Sequence, residues 1–245
     1  PASTFGQDTV TAINPLLDAI TSTTYEVGTR HLLVRGSGVV RELSYDVAGY
    51  FTTVNNEIVP YRGGRFYFTA GTVHRTGAEF GANARLAHGL ALAGALTLSK
   101  STYVDYVVDS VHYGRPGHYA DYSGNLMVGV PRVLFNGNAS WAPASANGLR
   151  FQVGVQRTGT YYADDANTVS VPSSTIFSAG LLTDKAFALG NGIGVRGFVT
   201  VQNLTDANYI GSAFLNPDVV AGRPVAFEPG LPRQVLVSVS FVRTR

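Results

Sequence analysis

The chain has no cysteine, which excludes disulfides and thiolate metal sites. It is short of charge: 14% of its residues are Asp, Glu, Lys or Arg, against about a quarter in an ordinary soluble domain. Its mean hydropathy is +0.10, yet it lacks any run of about 18 consecutive apolar residues, so a membrane-spanning helix is excluded. The 18 basic residues are scattered among 16 acidic ones; without a basic cluster there is no footprint for nucleic acid. Pro1 to Ile20 has neither the basic start nor the apolar core of a secretion signal, so the chain is expected to be mature or truncated. What it has in quantity is 28 Gly, 13 Tyr and 13 Phe over 245 residues, a length that suits one large β domain.

The apolar residues are dispersed with period 2 in about nine segments. In Leu149 to Gln156 the odd positions are apolar and the even ones polar or small. In the last segment Val235, Val237, Val239 and Phe241 alternate with Gln234, Ser238 and Ser240, and Leu236 breaks the pattern. Leu90 to Tyr106 reads as a helix on composition alone, but as a strand it sorts Leu90, Leu92, Leu96 and Leu98 onto one face. Ala91, Ala93, Ala95, Thr97, Ser99 and Ser101 fall on the other. Likewise Leu43, Tyr45, Val47 and Phe51 alternate with Glu42, Ser44, Asp46 and Thr52. Ala78, Phe80, Ala82, Ala84 and Leu86 share one side, with Arg75, Glu79, Asn83 and Arg85 on the opposite one. A soluble sandwich turns its apolar face inward. A barrel in lipid does the reverse, and a charged inner face fits a wet lumen or one filled by a polar plug.

Short turns near Arg35 to Val39, Ala87 to Gly89, Pro143 to Gly148 and Leu189 to Gly192 alternate with longer connections near Tyr61 to Arg65, Val108 to Asp121, Ala163 to Pro172 and Thr205 to Pro232. This is the pattern of short periplasmic turns and long extracellular loops. Counting back from a periplasmic carboxy terminus, Pro1 to Ser22 enters from an extracellular loop into a first strand at about Thr24 to Val34. Trp141, Tyr103, Tyr106, Tyr161 and Tyr162 fall near strand ends, where an aromatic girdle is expected. An odd number of strands does not close a bacterial barrel, and open edges in lipid leave backbone groups unpaired. The expectation is an all-β, antiparallel transmembrane β-barrel that is partial.

Several segments carry a family likeness. Val201-Gln202-Asn203-Leu204-Thr205-Asp206-Ala207-Asn208-Tyr209 resembles the "V-x-N-L-x-D-x-x-Y" penultimate strand of TonB-dependent receptors, and Pro229-Gly230-Leu231-Pro232-Arg233 resembles their "P-G-x-P-R" before the final strand. Tyr25-Glu26-Val27-Gly28 resembles "Y-E-x-G", and Ala70-Gly71 through Thr76-Gly77-Ala78-Glu79 resembles "N-A-G…x-G-x-E", with Thr69 where Asn is commoner. One departure is the tail Val242-Arg243-Thr244-Arg245 after Phe241, where such barrels often end on the aromatic. The resemblance implies that residues 1–245 are the carboxy-terminal part of a barrel of about 22 strands with an amino-terminal plug. That plug, and the segment that contacts TonB, lie outside this sequence. The implied setting is a Gram-negative outer membrane. The implied partners are the plug and remaining strands of the same protein, TonB, lipid, and a ferric siderophore or similar ligand. No cofactor is implied.

Candidate contacts are loop residues. His112, Tyr113, Arg115, His118 and Tyr119, with Asp121, combine aromatic faces and cationic donors that suit an anionic ferric complex; the same residues also make an ordinary solvated loop. Arg75, Glu79, Asn83 and Arg85 would face the lumen or a plug. Asp164, Asp165 and Asn167 offer oxygen ligands for a hard cation, but they lack the spacing of a calcium loop, and a capped turn accounts for them. No metal site is assigned. A catalytic barrel would need His112 with Asp164 or Asp165, and no spacing supports it. Gly190-Asn191-Gly192-Ile193-Gly194 sits at a hairpin with no helix after it, so it is no phosphate loop. A passive porin-type channel is the main alternative, since alternation alone does not separate channel from plugged transporter. Among receptors, cobalamin and saccharides remain open as ligands.

Overall fold

The computed structural model describes residues 18–61, 63–64, 66–109 and 119–243. Among them, nine long strands form one antiparallel sheet in sequence order: β1 (Thr21–Arg35), β2 (Val40–Asn55), β3 (Thr72–Leu86), β4 (Leu90–Asp105), β5 (Val133–Trp141), β6 (Leu149–Thr158), β7 (Ser174–Thr183), β8 (Ile193–Gln202) and β9 (Gln234–Arg243). The expected Thr24 to Val34 strand is β1; the loop placed at Pro1 to Ser22 falls mostly outside the described residues. Among the described residues no helix is long and apolar enough to cross a membrane.

Register carries the alternation from strand to strand, because residues directly opposite in a ladder project from the same face. One row reads Val34, Leu43, Ala84, Leu92, Ala139, Val153, Ala179, Val201, Val235. It is apolar across all nine strands. The next row reads Arg35, Glu42, Arg85, Ala91, Ser140, Gln152, Gly180, Thr200, Leu236. Leu236, the residue that broke the pattern of the last strand, thus lies on the polar face. The apolar rows are open to the surroundings, with Val153 at 55% and Val235 at 63% exposure. The polar face is concave: Asp46, Glu79, Asn83, Asn136, Asn138 and Gln156 line a hollow of about 680 Å³. An apolar exterior of this extent around a polar hollow is the arrangement of a barrel wall in lipid, since water would not tolerate the outer patch.

Local irregularities keep this sorting intact. Bulges between Leu32 and Val34 and between Val40 and Glu42 insert one residue on each side of the turn at Gly36 to Val39. They restore Val34, opposite Leu43, and Val40, opposite Leu86, to the outer face. The edge of β8 is covered by β7 and then by a detached continuation, Phe187–Gly190. At the break the Thr183 hydroxyl takes the place of a backbone partner: it accepts from the Gly197 N–H at 3.0 Å and donates to the Gly197 carbonyl at 3.2 Å.

The short connections gather at one rim and the long ones at the other. At the short-turn rim Trp141 lies on the outer face, 47% exposed, with its ring 5.8 Å from Phe151 and its indole N–H donating to the His88 carbonyl at 3.2 Å. This is a girdle position. Tyr103 and Tyr106 are not: they are 1% and 4% exposed and belong to the apolar cluster of Val54, Val59, Ala70, Val73 and Val128 beneath the long loops. Tyr103 pairs with Val73, two residues along β3 from the lumen-facing Arg75, so the register turns it inward, away from lipid. Tyr161 and Tyr162 are half-buried in a ribbon against Ser170–Val171, and Tyr161 lines an inner cavity with Gln156 and Thr158. The girdle reading therefore stands for Trp141 and is corrected for Tyr103, Tyr106 and Tyr161.

Candidate functional site

The long-loop rim is built of two-stranded ribbons. Ile58–Tyr61 pairs Phe66–Thr69 between β2 and β3; Val107–Asp109 pairs Tyr119–Asp121 between β4 and β5; Tyr161–Tyr162 pairs Ser170–Val171 between β6 and β7. Between β8 and β9, Ile210–Ala213 pairs Phe227–Pro229 and Val219–Val220 pairs Arg223–Pro224. An isolated ribbon is marginal in water. The second, third and fourth connections instead meet on a single buried carboxylate, and the first is tied to them through Asn216.

Asp165, in the third loop, is 4% exposed. It accepts from the hydroxyls of Tyr103 at 2.7 Å and Tyr106 at 3.0 Å, and from the Asn216 amide at 2.8 Å. Its backbone N–H donates to the Asn216 side-chain oxygen at 2.9 Å, and its carbonyl accepts from the Asn125 amide at 2.8 Å. Asn216, in the fourth loop, also donates to the Pro60 carbonyl of the first loop at 2.9 Å. All three side-chain donors to the carboxylate are neutral. Burial pushes the Asp165 carboxyl above its ordinary value, while the bonds from Tyr103, Tyr106 and Asn216 pull the other way.

The neighbours of Asp165 turn elsewhere. The Asp164 carboxylate caps its own turn, accepting from the Thr168 N–H at 2.9 Å, the Thr168 hydroxyl at 2.5 Å and the Val169 N–H at 2.6 Å. Asn167, at φ 58°, clamps Leu126 from both sides, accepting its N–H at 2.8 Å and donating to its carbonyl at 2.9 Å. The three candidate cation ligands thus diverge, and among the described residues no group of three or more His, Cys, Asp or Glu could hold a metal.

Of the loop candidates, His112, Tyr113, Arg115 and His118 lie outside the described residues. Tyr119 stands 70% exposed on its ribbon, and Asp121 accepts from the Ser123 N–H at 2.9 Å; the Ser123 side chain first, and this N–H second, hold its carboxyl below the usual range. Arg75, Glu79, Asn83 and Arg85 all project on the concave face. They do not form one cluster: Arg75 pairs with the buried Glu57 under the loops, Arg85 reaches Glu42 at 3.5 Å near the opposite rim, and Glu79 and Asn83 line the hollow between.

Sequence reasoning missed the Tyr103, Tyr106, Asp165 and Asn216 cluster. Asn216 shows no local signal, since its partners are remote in the chain. Tyr103 and Tyr106 carried a faint one: two tyrosines three apart at a strand end, the first on the polar parity of β4.

The motif residues form a separate clasp that sets β9 against β8. Asn203, 3% exposed, accepts from the Ala207 N–H at 2.9 Å and donates to the carbonyls of Ala207 at 2.9 Å and Leu231 at 3.1 Å. Asp206 accepts from the Arg233 N–H at 2.9 Å. The Tyr209 ring lies on Gly230 so closely that a Cβ there would come within 2.2 Å of it. Gly71 in the upstream motif serves a similar end, since a Cβ would come within 2.3 Å of the Asp105 carbonyl oxygen. The motifs are thus packing devices that align neighbouring strands.

Residues 2–204 match the family described as TonB dependent receptor-like, beta-barrel. The chain is 26% identical over 200 residues to the ferrioxamine receptor of Yersinia enterocolitica, covering 81% of this chain and 25% of that protein. It is 27% identical over 192 residues to the ferrichrome outer membrane transporter/phage receptor of Escherichia coli, covering 78% and 23%. The chain therefore spans about a quarter of the length of these curated relatives. In fold it is similar to the siderophore receptor PiuA of Acinetobacter baumannii, with a TM-score of 0.66, 20% identity, and coverage of 90% of this chain and 28% of that one. With an apolar exterior, a polar hollow and a family match that runs through nearly the whole sheet, this chain belongs to the TonB-dependent receptor β-barrel family, transport receptors of the Gram-negative outer membrane.

Proposed function

We propose that this chain is the carboxy-terminal barrel portion of a receptor that imports a ferric siderophore across the outer membrane with energy delivered through TonB. The observation that carries the reading is the family match over residues 2–204, joined to a wall whose inner face is polar from β2 to β8. Two curated relatives bear names of ferric siderophore receptors or transporters. In this reading the outer edges of β1 and β9 pair with the remaining strands of the same protein, since an unpaired edge in hydrocarbon costs several kcal/mol per backbone group.

Glu79, Asn83 and Arg85, with Asp46 and the amides of Asn136, Asn138 and Gln156, face a plug. They offer it donors and acceptors of both signs. The chain's own residues perform no bond-breaking chemistry; they form wall and rim. The ligand is met at the long-loop rim by the connection that holds His112, Tyr113, Arg115, His118 and Tyr119 and by the plug.

The test is uptake of radiolabelled iron, offered as a panel of ferric siderophores, by iron-starved cells with and without the full-length gene, each with and without a protonophore. Uptake that needs both the gene and the proton gradient is the expected result. Gene-dependent entry that ignores the protonophore would assign a passive channel instead, and no gene dependence would turn the search to cobalamin and saccharides.

A further inference from the structure

We infer that the short-turn mouth of this wall is a docking surface for an acidic, amphipathic polypeptide segment, seated on an apolar patch between arginines on the concave faces of β6 to β9. The inference rests on the reading of the chain as one portion of a longer, plugged receptor, and it goes beyond that reading by giving the chemistry of the segment that belongs here. Leu236, which breaks the alternation of β9, is the starting point: it lies on the concave face, away from lipid, and is 56% exposed. A single exposed leucine carries no meaning, but the register gathers two more apolar side chains beside it. Leu182 is directly opposite Phe198, and Phe198 is opposite Ser238, so Leu236 is the diagonal neighbour of Phe198 on the same face.

Cations frame the patch. Arg150 is directly opposite Leu182, and Arg196 is two residues from Phe198 along β8, both on the concave face. Arg35 and Arg85 hold the same face at the short-turn ends of β1 and β3. Arg41 and Lys185 stand beside the turns. Among the described residues only two carboxylates lie at this rim, and both are engaged: Glu42 reaches Arg85 at 3.5 Å and Asp184 holds Arg150 at 2.7 Å. Arg35 and Arg196 form no ion pair among the described residues. These cations and two carboxylates outweigh the net charge of +2 carried by the whole chain, so the rest of the molecule is the more acidic. Asp46 and Glu79 sit deeper in the hollow. A wall of low dielectric focuses the field of the arginines into the mouth. Lipid meets the opposite face, where β8 and β9 present Val199, Val235, Val237 and Val239. The occupant that fits is a polypeptide with apolar side chains for Leu182, Phe198 and Leu236 and a carboxylate for Arg196, whose guanidinium fork donates two parallel hydrogen bonds to such a group.

The experiment places the photoreactive p-benzoylphenylalanine at Leu236 in the full-length receptor in outer membranes, with the same replacement at Val237, its neighbour on the lipid face, as the control. After irradiation the captured peptide is identified by mass spectrometry. The expected product at Leu236 is a cross-link within the same polypeptide to a segment outside residues 1–245 whose Asp and Glu outnumber its Lys and Arg; the control should capture no such segment. Arg196→Glu should lower the yield at Leu236 several-fold, Arg196→Gln by less, and Arg196→Lys should keep most of it, with heat-modifiable gel mobility reporting a folded barrel in each. A captured segment that is basic or uncharged overturns the inference. So does capture of lipid or of a separate protein, or a yield that ignores Arg196→Glu in a folded barrel. If Arg196→Glu fails to fold, Arg196→Gln decides, and an unchanged yield there overturns the inference. Gradient-driven iron uptake by the same cells keeps the two readings apart: a receptor that imports iron but yields no acidic segment at Leu236 loses this inference and keeps its proposed function.

Discussion

At the short-turn rim the contacts join the ends of neighbouring strands: the Ala142 N–H bonds the Gly89 carbonyl beside β4 and β5, and beside β6 and β7 the Asp184 N–H bonds the Gly148 carbonyl and Arg150 forks onto Asp184 at 2.7 and 2.8 Å. At the long-loop rim the decisive contacts pass over intervening strands. Tyr103 and Asp165 are 62 positions apart, and Asn216 and Pro60 are 156 apart. The first rim needs only two neighbouring strands in register. The second needs four loops delivered to one place by a finished sheet, so its stability is borrowed from the wall, and a change in the wall should reach the loops while a change in the loops should leave the wall standing.

The largest expected effect is therefore in the wall. Val153→Arg puts a cation on the outer face in the middle of the apolar row and should cost about 2–4 kcal/mol in a bilayer. It should be measured as the unfolding free energy of the full-length barrel in lipid vesicles, beside Gln152→Arg, one residue away on the concave face. If the two substitutions cost the same, the assignment of faces is wrong. Next in size is Asp165→Ala, which takes a buried acceptor from the hydroxyls of Tyr103 and Tyr106 and should cost about 1–3 kcal/mol for a buried donor left unsatisfied. Hydrogen exchange should show that loss in the amides of Leu126, Asp165 and Asn216 and spare those of β4 to β7. A uniform loss across both would mean that cap and wall unfold together.

Asn203→Ala tests the border between the regions, since the clasp belongs to the wall but lies at the foot of the fourth loop. It removes three hydrogen bonds, two of them to carbonyls four and 28 positions away, and a net loss of about 1–2 kcal/mol is expected. The β8–β9 amides should exchange faster first. Faster exchange confined to the cap would make Asn203 a loop residue instead of a strand aligner.

This division also explains what could be read from the residues alone. Period 2 survives in the sequence because lipid and lumen impose it residue by residue, so the sorting of Leu90 to Ser101 and of Ala78 to Arg85 onto two faces is visible without a structure. The alternation of short and long connections follows from the same count. The cap has no such period. Asp165 and Asp164 are neighbours of identical type, and only the positions of Tyr103, Tyr106 and Asn216 decide that one joins the loops and the other caps a turn. Tyr103 looked like a girdle residue because strand ends and aromatics coincide there; the register with Val73, which turns it inward, is a property of the pair of strands.

The smallest effect expected is a pH dependence confined to the cap, and its sign separates the two forces on Asp165. Burial raises the carboxyl's folded value, helped by the nearby Asp164 charge, against the pull of Tyr103, Tyr106 and Asn216. A closed cap then holds the Asp165 proton more tightly than an open one, so protonation favours closure. That contribution is complete below about pH 3.9, the ordinary aspartate value. It falls away as pH rises through the raised folded value and is flat above it. Exchange protection of the Asn216 and Leu126 amides in the full-length receptor, corrected for intrinsic rates, should decline across that window. Asp165→Asn should abolish the slope, and the wall amides should show none. A cap that tightens as pH rises would mean that the three donors outweigh desolvation and that Asp165 works as a charged acceptor, which reverses the origin of its strength without moving a single contact.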